Sequence, residues 1–548
     1  MQDEGPRLID RSGGTSIVYK NKDLYGSGAA QNSAVRRAQR FKLTDNTLYV
    51  LASPLLWYGV ADIMGRLPGS SHVLALENDT DLASVSRDCM PAVFAHNPHL
   101  TFIHPVLPES VYAAVKKIGV QSFRRVQLIT LNAGYRLHNS AYSRIQKLLE
   151  EEIQQFWLNK YTLMHMLPLW LKNVFSNFAR FPSLSALTPV ISSLPESNLP
   201  VVVAGAGPSF DEIIPFLRKH RTKFFLLAVD TAYSPLIKTG IRPDAVVAQE
   251  AQFFNLYDFI PRPILDIPLI ADITSFPGVL KLSNGTIHMF STRFAEISLF
   301  DRLDEYGFTL ESIPPMGSVG STAVELALRI SEGPVLFTGI DFSFFPGKTH
   351  MKESPQHLRL LQCSRRFNSL IDLSALGTPG VRYAPSGGRS ERLLTTTTLE
   401  RYAQNFNRYF GGNPRLYRIQ SSGMLLDVQT VDTSAAASIL TDWKGTSPAS
   451  TVSEDPQAFE TDRIKAFLEN EGKLLDEIYS AGRSYLQGRS DEAFVGRLLS
   501  KINQCEYLFL AFPDTGIRLE KLEPNLIKRI LVYAGHYLQQ IKASLSGL

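Results

Sequence analysis

Leu199-Pro200-Val201-Val202-Val203-Ala204-Gly205-Ala206-Gly207-Pro208-Ser209 decides the fold class. Consecutive apolar residues, rather than alternating ones, predict a short strand buried on both faces, as in a parallel sheet covered by helices. Gly205 and Gly207 follow at once, and a helical pattern runs from Phe210 to His220. Strand, glycine turn and helix together suit a phosphate. Glycine lets backbone N–H groups approach a ligand, Ser209 can cap the helix, and a helix N-terminus carries partial positive charge. A tight turn closed by a serine cap has the same pattern, and the glycines alone do not separate the two.

Outward from this stretch the unit repeats. Phe224 to Val229 predicts a second buried strand ending in Asp230-Thr231, and Ala245 to Ala248 a third ending in Gln249-Glu250. Met316-Gly317-Ser318-Val319-Gly320-Ser321-Thr322 is a second small-residue turn, before the helix-like Ala323 to Ile330. Val335 to Thr338 then predicts a strand ending in Gly339-Ile340-Asp341. In doubly wound sheets ligands bind beyond the carboxyl ends of the strands, so these polar residues are candidate ligand groups. Helix caps and loop positions account for them equally well. The expected fold class is α/β, with a central doubly wound, Rossmann-like domain over residues 196–440.

Elsewhere, two short apolar runs at 48–52 and 72–76 flank a helix-like segment at 61–66, which predicts a smaller N-terminal α/β domain over 1–135. Its first turn, Ser53-Pro54-Leu55-Leu56-Trp57-Tyr58-Gly59, lacks the small residues that admit a phosphate. Glu77 nevertheless follows the second strand where a ribose-binding acid would sit. The expectation is that this domain binds no dinucleotide. Helical spacing of Ile145, Leu148, Leu149, Ile153 and Trp157 predicts a helical connection over 136–195, with Glu150, Glu151 and Glu152 as a solvated face. The apolar region from Leu163 to Phe178 reads as a buried helix. KGTSPASTVSEDPQ after Trp443 marks a flexible connection, and three helical patterns beyond it predict an all-helical C-terminal domain over 455–548.

Composition narrows the function classes. The 548 residues carry 56 Lys and Arg against 52 Asp and Glu with no basic run, which implies no nucleic-acid partner. Three cysteines, Cys89, Cys363 and Cys505, are too few and too scattered for a disulfide framework or a metal site, and fit a reducing cytoplasm. No stretch approaches the ~20 apolar residues of a membrane span, and the N-terminus is not a secretory signal.

AGAGPSFDEI, AVDTAYSPLIKTGIRPD, GSVGSTAVELAL and FTGIDFSFFPGKTH, in this order, resemble the blocks of the motility-associated factor family of flagellin glycosyltransferases. SGAAQNSAVRRA, LLTTTTLERYAQNF and RIQSSGMLLDV are also similar to that family, so the resemblance covers most of the chain. VVVAGAGPS and GIDF further resemble bacterial sialyltransferases that use a CMP-activated nine-carbon acid sugar. The resemblance implies transfer of a nonulosonic acid, of pseudaminic or legionaminic type, from a CMP donor to Ser or Thr of flagellin, supporting motility. It implies no metal and no cofactor beyond the donor. Carried over by the same match are nucleotide contacts at Gly205, Gly207, Pro208, Ser209, Asp230, Gln249, Ser318, Ser321 and Thr322, and the strand-end positions add Thr231 and Glu250 as candidates. Gly339 and Asp341 border the sugar, and Asp341 joins His350 as a catalytic candidate.

An imidazole can accept the acceptor's proton or protonate the leaving phosphate. A lone histidine in a polar loop is more often a surface residue. Tyr383 and Arg389 are weaker candidates. Gln249-Glu250-Ala251 departs from the acidic pair that many family members carry, which leaves contacts there open. The central domain also resembles archaeal ATP-dependent 6-hydroxymethylpterin diphosphokinases, in which Asp230, Glu250 and Asp341 would hold Mg²⁺. A non-catalytic, flagellin-binding protein of the same fold is the remaining alternative.

Overall fold

Short apolar strands joined by helices force parallel pairing, and the chain builds two such sheets. The computed structural model describes residues 5–11, 13–26, 28–180, 184–186, 199–260, 267–295, 297–308, 310–375, 380–384, 393–420, 422–443 and 460–548. Two compact units result, Met1–Met166 with Phe509–Leu519, and Leu167–Leu508 with Glu520–Leu548.

The first unit holds a four-stranded sheet in the order Leu100–Ile103, His72–Leu76, Thr47–Ala52, Arg125–Thr130, all parallel. Helix Val60–Gly65 joins the first two strands in sequence, as the β-α-β spacing predicts. A three-stranded antiparallel ribbon, Arg7–Arg11, Gly14–Tyr19 and Lys22–Asp23, was not legible, because Arg7–Arg11 is largely exposed and carries no apolar alternation. Ser53, Leu55 and Trp57 all take left-handed φ values, 54°, 49° and 58°. Such conformations cost of order 1–3 kcal/mol each for non-glycine residues and persist only when surroundings impose them. Here Leu55 and Trp57 are buried, and Trp57 Nε1 donates to Ser86 O at 2.7 Å. Glu77, fully buried, accepts from Ser53 Oγ at 2.7 Å, Tyr142 Oη at 3.1 Å and Asp79 N at 3.1 Å. The acid in the ribose-binding position therefore fastens the turn.

Lys160 Nζ donates to Leu510 O at 2.8 Å and Thr515 O at 2.9 Å, which ties the 509–519 segment into this unit. Helix Asn139–Phe178 is a single element of 40 residues that contains Pro168, and Leu167, Leu171, Val174, Phe175 and Phe178 are fully buried.

In the second unit, Val201–Ala204 starts a parallel sheet that grows outward through Phe225–Val229, Ala245–Ala248, Leu269–Asp272 and Ile287–Ser291 to Glu311–Ser312. The chain then returns to the other side of its first strand with Val335–Thr338, Leu416–Ile419 and Gln429–Val431. Leu184–Ala186 pairs with Ile287–Ser291. The doubly wound central sheet expected from the sequence is thus present, with its order reversing at Val201–Ala204.

The C-terminal helices Thr461–Leu486, Glu492–Ile502 and Pro524–Gly547 fall where periodicity predicts them. They do not form a separate unit, however. Arg302 donates two 2.8 Å hydrogen bonds to the fully buried Glu471, and Phe178 packs against Phe467 with ring centroids 5.1 Å apart. All three helices belong to the second unit, whereas the 509–519 segment between the last two belongs to the first. The 444–459 connection lies outside the described residues.

Candidate functional site

At the reversal point two strand ends approach more closely than side chains allow. Gly205 N donates to Thr338 O at 2.9 Å, and Gly207 N to Gly339 O at 2.7 Å. A Cβ on Gly205 would collide with Gly339 O, one on Gly207 with Asp341 Oδ2, and Gly339 itself has φ +69°. These glycines are therefore required by backbone packing, as well as leaving room for a ligand.

Beyond Gly207 the predicted helix is broken. A 3-10 segment, Pro208–Glu212, precedes the seven-residue helix Ile214–His220, so no sustained helix dipole points at the first turn. Ser209 does not cap a helix. Its hydroxyl donates to Asp341 Oδ1 at 2.6 Å and its N–H to Asp341 Oδ2 at 2.9 Å. Burial raises Asp341 to about 6, against the lowering effect of Arg418, whose Nη2 lies 3.9 Å away. The loop after Asp341 folds back over the turn. Lys348 Nζ reaches Pro208 O at 2.8 Å and Asp211 Oδ2 at 2.7 Å, and Met351 N donates to Ala206 O at 2.9 Å. That loop brings His350 into the site.

The result is a cavity of about 900 Å³ at the carboxyl ends of the strands. Of the residues singled out by sequence, Gly205, Gly207, Asp230, Thr231, Ser318, Gly339, Asp341 and His350 line it. Pro208 and Ser209 are buried in the adjoining turn. The second turn enters its helix earlier than predicted: Val319–Ile330 begins at the cavity with Ser318 as N-cap, accepting from Ser321 N at 3.2 Å. Ser321 and Thr322 consequently lie within the first helical turn, fully buried and outside the lining. Gln249 is half-buried and Glu250 exposed, and neither lines the cavity. Burial raises Asp230, Asp258 and Tyr402, and the Glu250 charge adds to each from a distance.

Sequence reading missed one part of the wall and one part of what backs it. Helix Thr397–Phe410 also opens on the cavity, through Thr396, Thr398 and Leu399, with Thr396 as its N-cap accepting from Leu399 N at 3.2 Å. Four consecutive threonines ahead of a helical pattern were the available signal. The other part is a polar network: Asn255 Nδ2 donates to Asp230 Oδ2 at 2.7 Å and to Asp258 Oδ2 at 3.2 Å. Burial pushes both carboxyls above their usual range, and the Asp230 charge pushes Asp258 further. No local pattern marks Asn255 and Asp258, which come together only through tertiary packing.

His350 Nδ1 lies 3.1 Å from Thr349 Oγ1, and burial, then the neighbouring His357, lowers its imidazole to about 4. The ring is therefore neutral at pH 7, with its nitrogen lone pair free to accept a proton but weaker as a base than an ordinary imidazole. Tyr383 is exposed, and Arg389 lies outside the described residues. Among the described residues no group of three or more His, Cys, Asp and Glu side chains is arranged to hold a metal ion, and no helix is long and apolar enough to cross a membrane.

Residues 172–346 match the family described as 6-hydroxymethylpterin diphosphokinase MptE-like. An uncharacterized protein of Treponema pallidum (strain Nichols) is 28% identical over 561 residues, covering 99% of this chain and 96% of that protein. A second uncharacterized protein of T. pallidum is 29% identical over 134 residues, covering 24% of this chain and 55% of its own. The MAf glycosyltransferase from Magnetospirillum magneticum AMB-1 has a similar structure, with a TM-score of 0.54 at 14% identity over 99% of this chain and 87% of that one. At that identity the likeness is one of fold. Both relationships expected from the sequence, to a motility-associated glycosyltransferase and to the diphosphokinase-like central domain, are met by these matches.

Proposed function

We propose that the protein is a glycosyltransferase that moves a nonulosonic acid of pseudaminic or legionaminic type from its CMP donor to Ser or Thr hydroxyls of flagellin, in the cytoplasm. The observation that carries this reading is the cavity of about 900 Å³ at the strand-order reversal, on which the helices Val319–Ile330 and Thr397–Phe410 open with their N-termini. Such a donor carries two anionic groups, the phosphate and the sugar carboxylate, and helix N-termini favour anions. The fold shared with the MAf glycosyltransferase supports the same reading.

In this scheme the acceptor oxygen bonds to the anomeric carbon as the bond from that carbon to the phosphate oxygen breaks, and CMP leaves. Neutral His350 takes the acceptor's proton. The N-terminus of Val319–Ile330 stabilises the charge that grows on the departing phosphate. Asp341, engaged by Ser209, holds the first turn in place and serves the chemistry through position. No metal enters these steps.

Deleting the encoding gene and weighing intact flagellin tests the acceptor: the mass should fall by whole nonulosonate residues, and an unchanged mass rejects flagellin. His350→Ala should lower transfer about 10²-fold or more while CMP still binds. A wild-type rate would remove His350 from the mechanism.

The match to the MptE-like family favours a second reading, an ATP-dependent 6-hydroxymethylpterin diphosphokinase-like enzyme. Stabilisation by ATP only with Mg²⁺, and none by CMP, would select it.

A further inference from the structure

The cavity wall that carries Asp230 also carries Gln356, from helix Pro355–Cys363. Behind Gln356 sits Asp258, buried, whose Oδ1 accepts from Gln356 Nε2 at 3.5 Å while its Oδ2 accepts from Asn255 Nδ2 at 3.2 Å. The amide's donor end is thus turned to a carboxyl. Its carbonyl oxygen, Oε1, is buried and has no hydrogen-bond partner among the described residues. A buried acceptor left unpaired costs about 1–3 kcal/mol, which a ligand N–H on this wall would recover.

The position of the wall indicates which ligand group that is. Asp230 ends the second strand, 25 residues beyond Gly205, close to the spacing at which a nucleotide's ribose meets an acid in doubly wound sheets. Past the ribose comes the base. We propose that Gln356 determines base specificity: its Oε1 accepts from the exocyclic amine of cytosine, and Asp258 is the positioning residue that holds the amide in that sense. This rests on the CMP-donor reading above. Uracil places a carbonyl oxygen where cytosine has the amine, so two acceptors would face each other. Raised by burial and by Asp230, Asp258 favours its neutral form, which keeps a second full negative charge away from a bound phosphate.

Calorimetric titration of CMP and UMP into the full chain tests the assignment. Wild type should bind CMP about 10- to 100-fold more tightly than UMP, the range that one such hydrogen bond supports. Gln356→Leu should bring that ratio close to one, and Asp258→Leu should lower it. A ratio is insensitive to general loss of folded protein, so a merely structural role would not produce this pattern. CMP binding with no preference over UMP, or a preference that survives Gln356→Leu, overturns the assignment and leaves the donor reading standing. Absence of CMP binding overturns both.

Discussion

The two parallel sheets present the same architectural opportunity and treat it oppositely. Each reverses its strand order beside its first strand, Thr47–Ala52 in one unit and Val201–Ala204 in the other. After Thr47–Ala52 the turn is filled by its own Leu55 and Trp57, strained at three left-handed residues, and pinned by a buried Glu77. After Val201–Ala204 the turn is Gly205-Ala206-Gly207, packed against Gly339, and a cavity of about 900 Å³ lies beside it. A reversal point becomes a binding site only when the first turn leaves space there. The buried acids follow suit: Glu77 and Asp341 each fasten the turn beside them, through Ser53 and Ser209 respectively.

Breaking the open turn should have the largest effect. Gly205→Val places side-chain atoms against the Gly339 backbone, which has nowhere to move, and should destabilise the second unit by about 4 kcal/mol or more. Segment-resolved hydrogen exchange should show protection lost in strands 201–204 and 335–338 and kept in 47–52. Equal protection to wild type would mean that the close approach is not needed. Emptying the filled turn comes next: Trp57→Ala should cost about 3–5 kcal/mol in the first unit. CMP-induced stabilisation should be unaffected, and its loss would show that the first unit shapes the site.

The third effect reads the acid of the open turn through pH. With Asp341 raised to about 6 from an ordinary value near 3.8, the folded state binds its proton more tightly than the unfolded one. That stability is fully present below about pH 3.8 and is lost as pH rises through about 6, to the extent of about 3 kcal/mol. Asp341→Asn should flatten urea midpoints between pH 4.5 and 7, and an unchanged slope would place the acid's titration elsewhere.

Much of this architecture was written locally. Val201 to Ala204, Phe225 to Val229 and Val335 to Thr338 are buried strands because consecutive apolar residues fit a sheet covered on both faces, and the glycines after them mark the turn. Where sequence reading failed, the deciding contact was distant. Ser209 faces Asp341, 132 residues away, so it does not cap a helix. Ser321 and Thr322 turned inward because their helix starts at Val319, a boundary that periodicity fixes poorly. Asn255, Asp258 and Gln356 carry no motif and meet only in the folded chain.

Charge at one helix N-terminus tests the central claim most directly. Ser318→Asp keeps a good N-cap on Val319–Ile330 and places a carboxylate where the phosphate is to bind. Thermal unfolding of wild type and variant should be measured with CMP and without divalent cations. The account predicts equal unliganded midpoints, stabilisation of wild type equivalent to about 3 kcal/mol at CMP a hundredfold above Kd, and little or none in the variant. No stabilisation of wild type, or the same stabilisation in both, would contradict it.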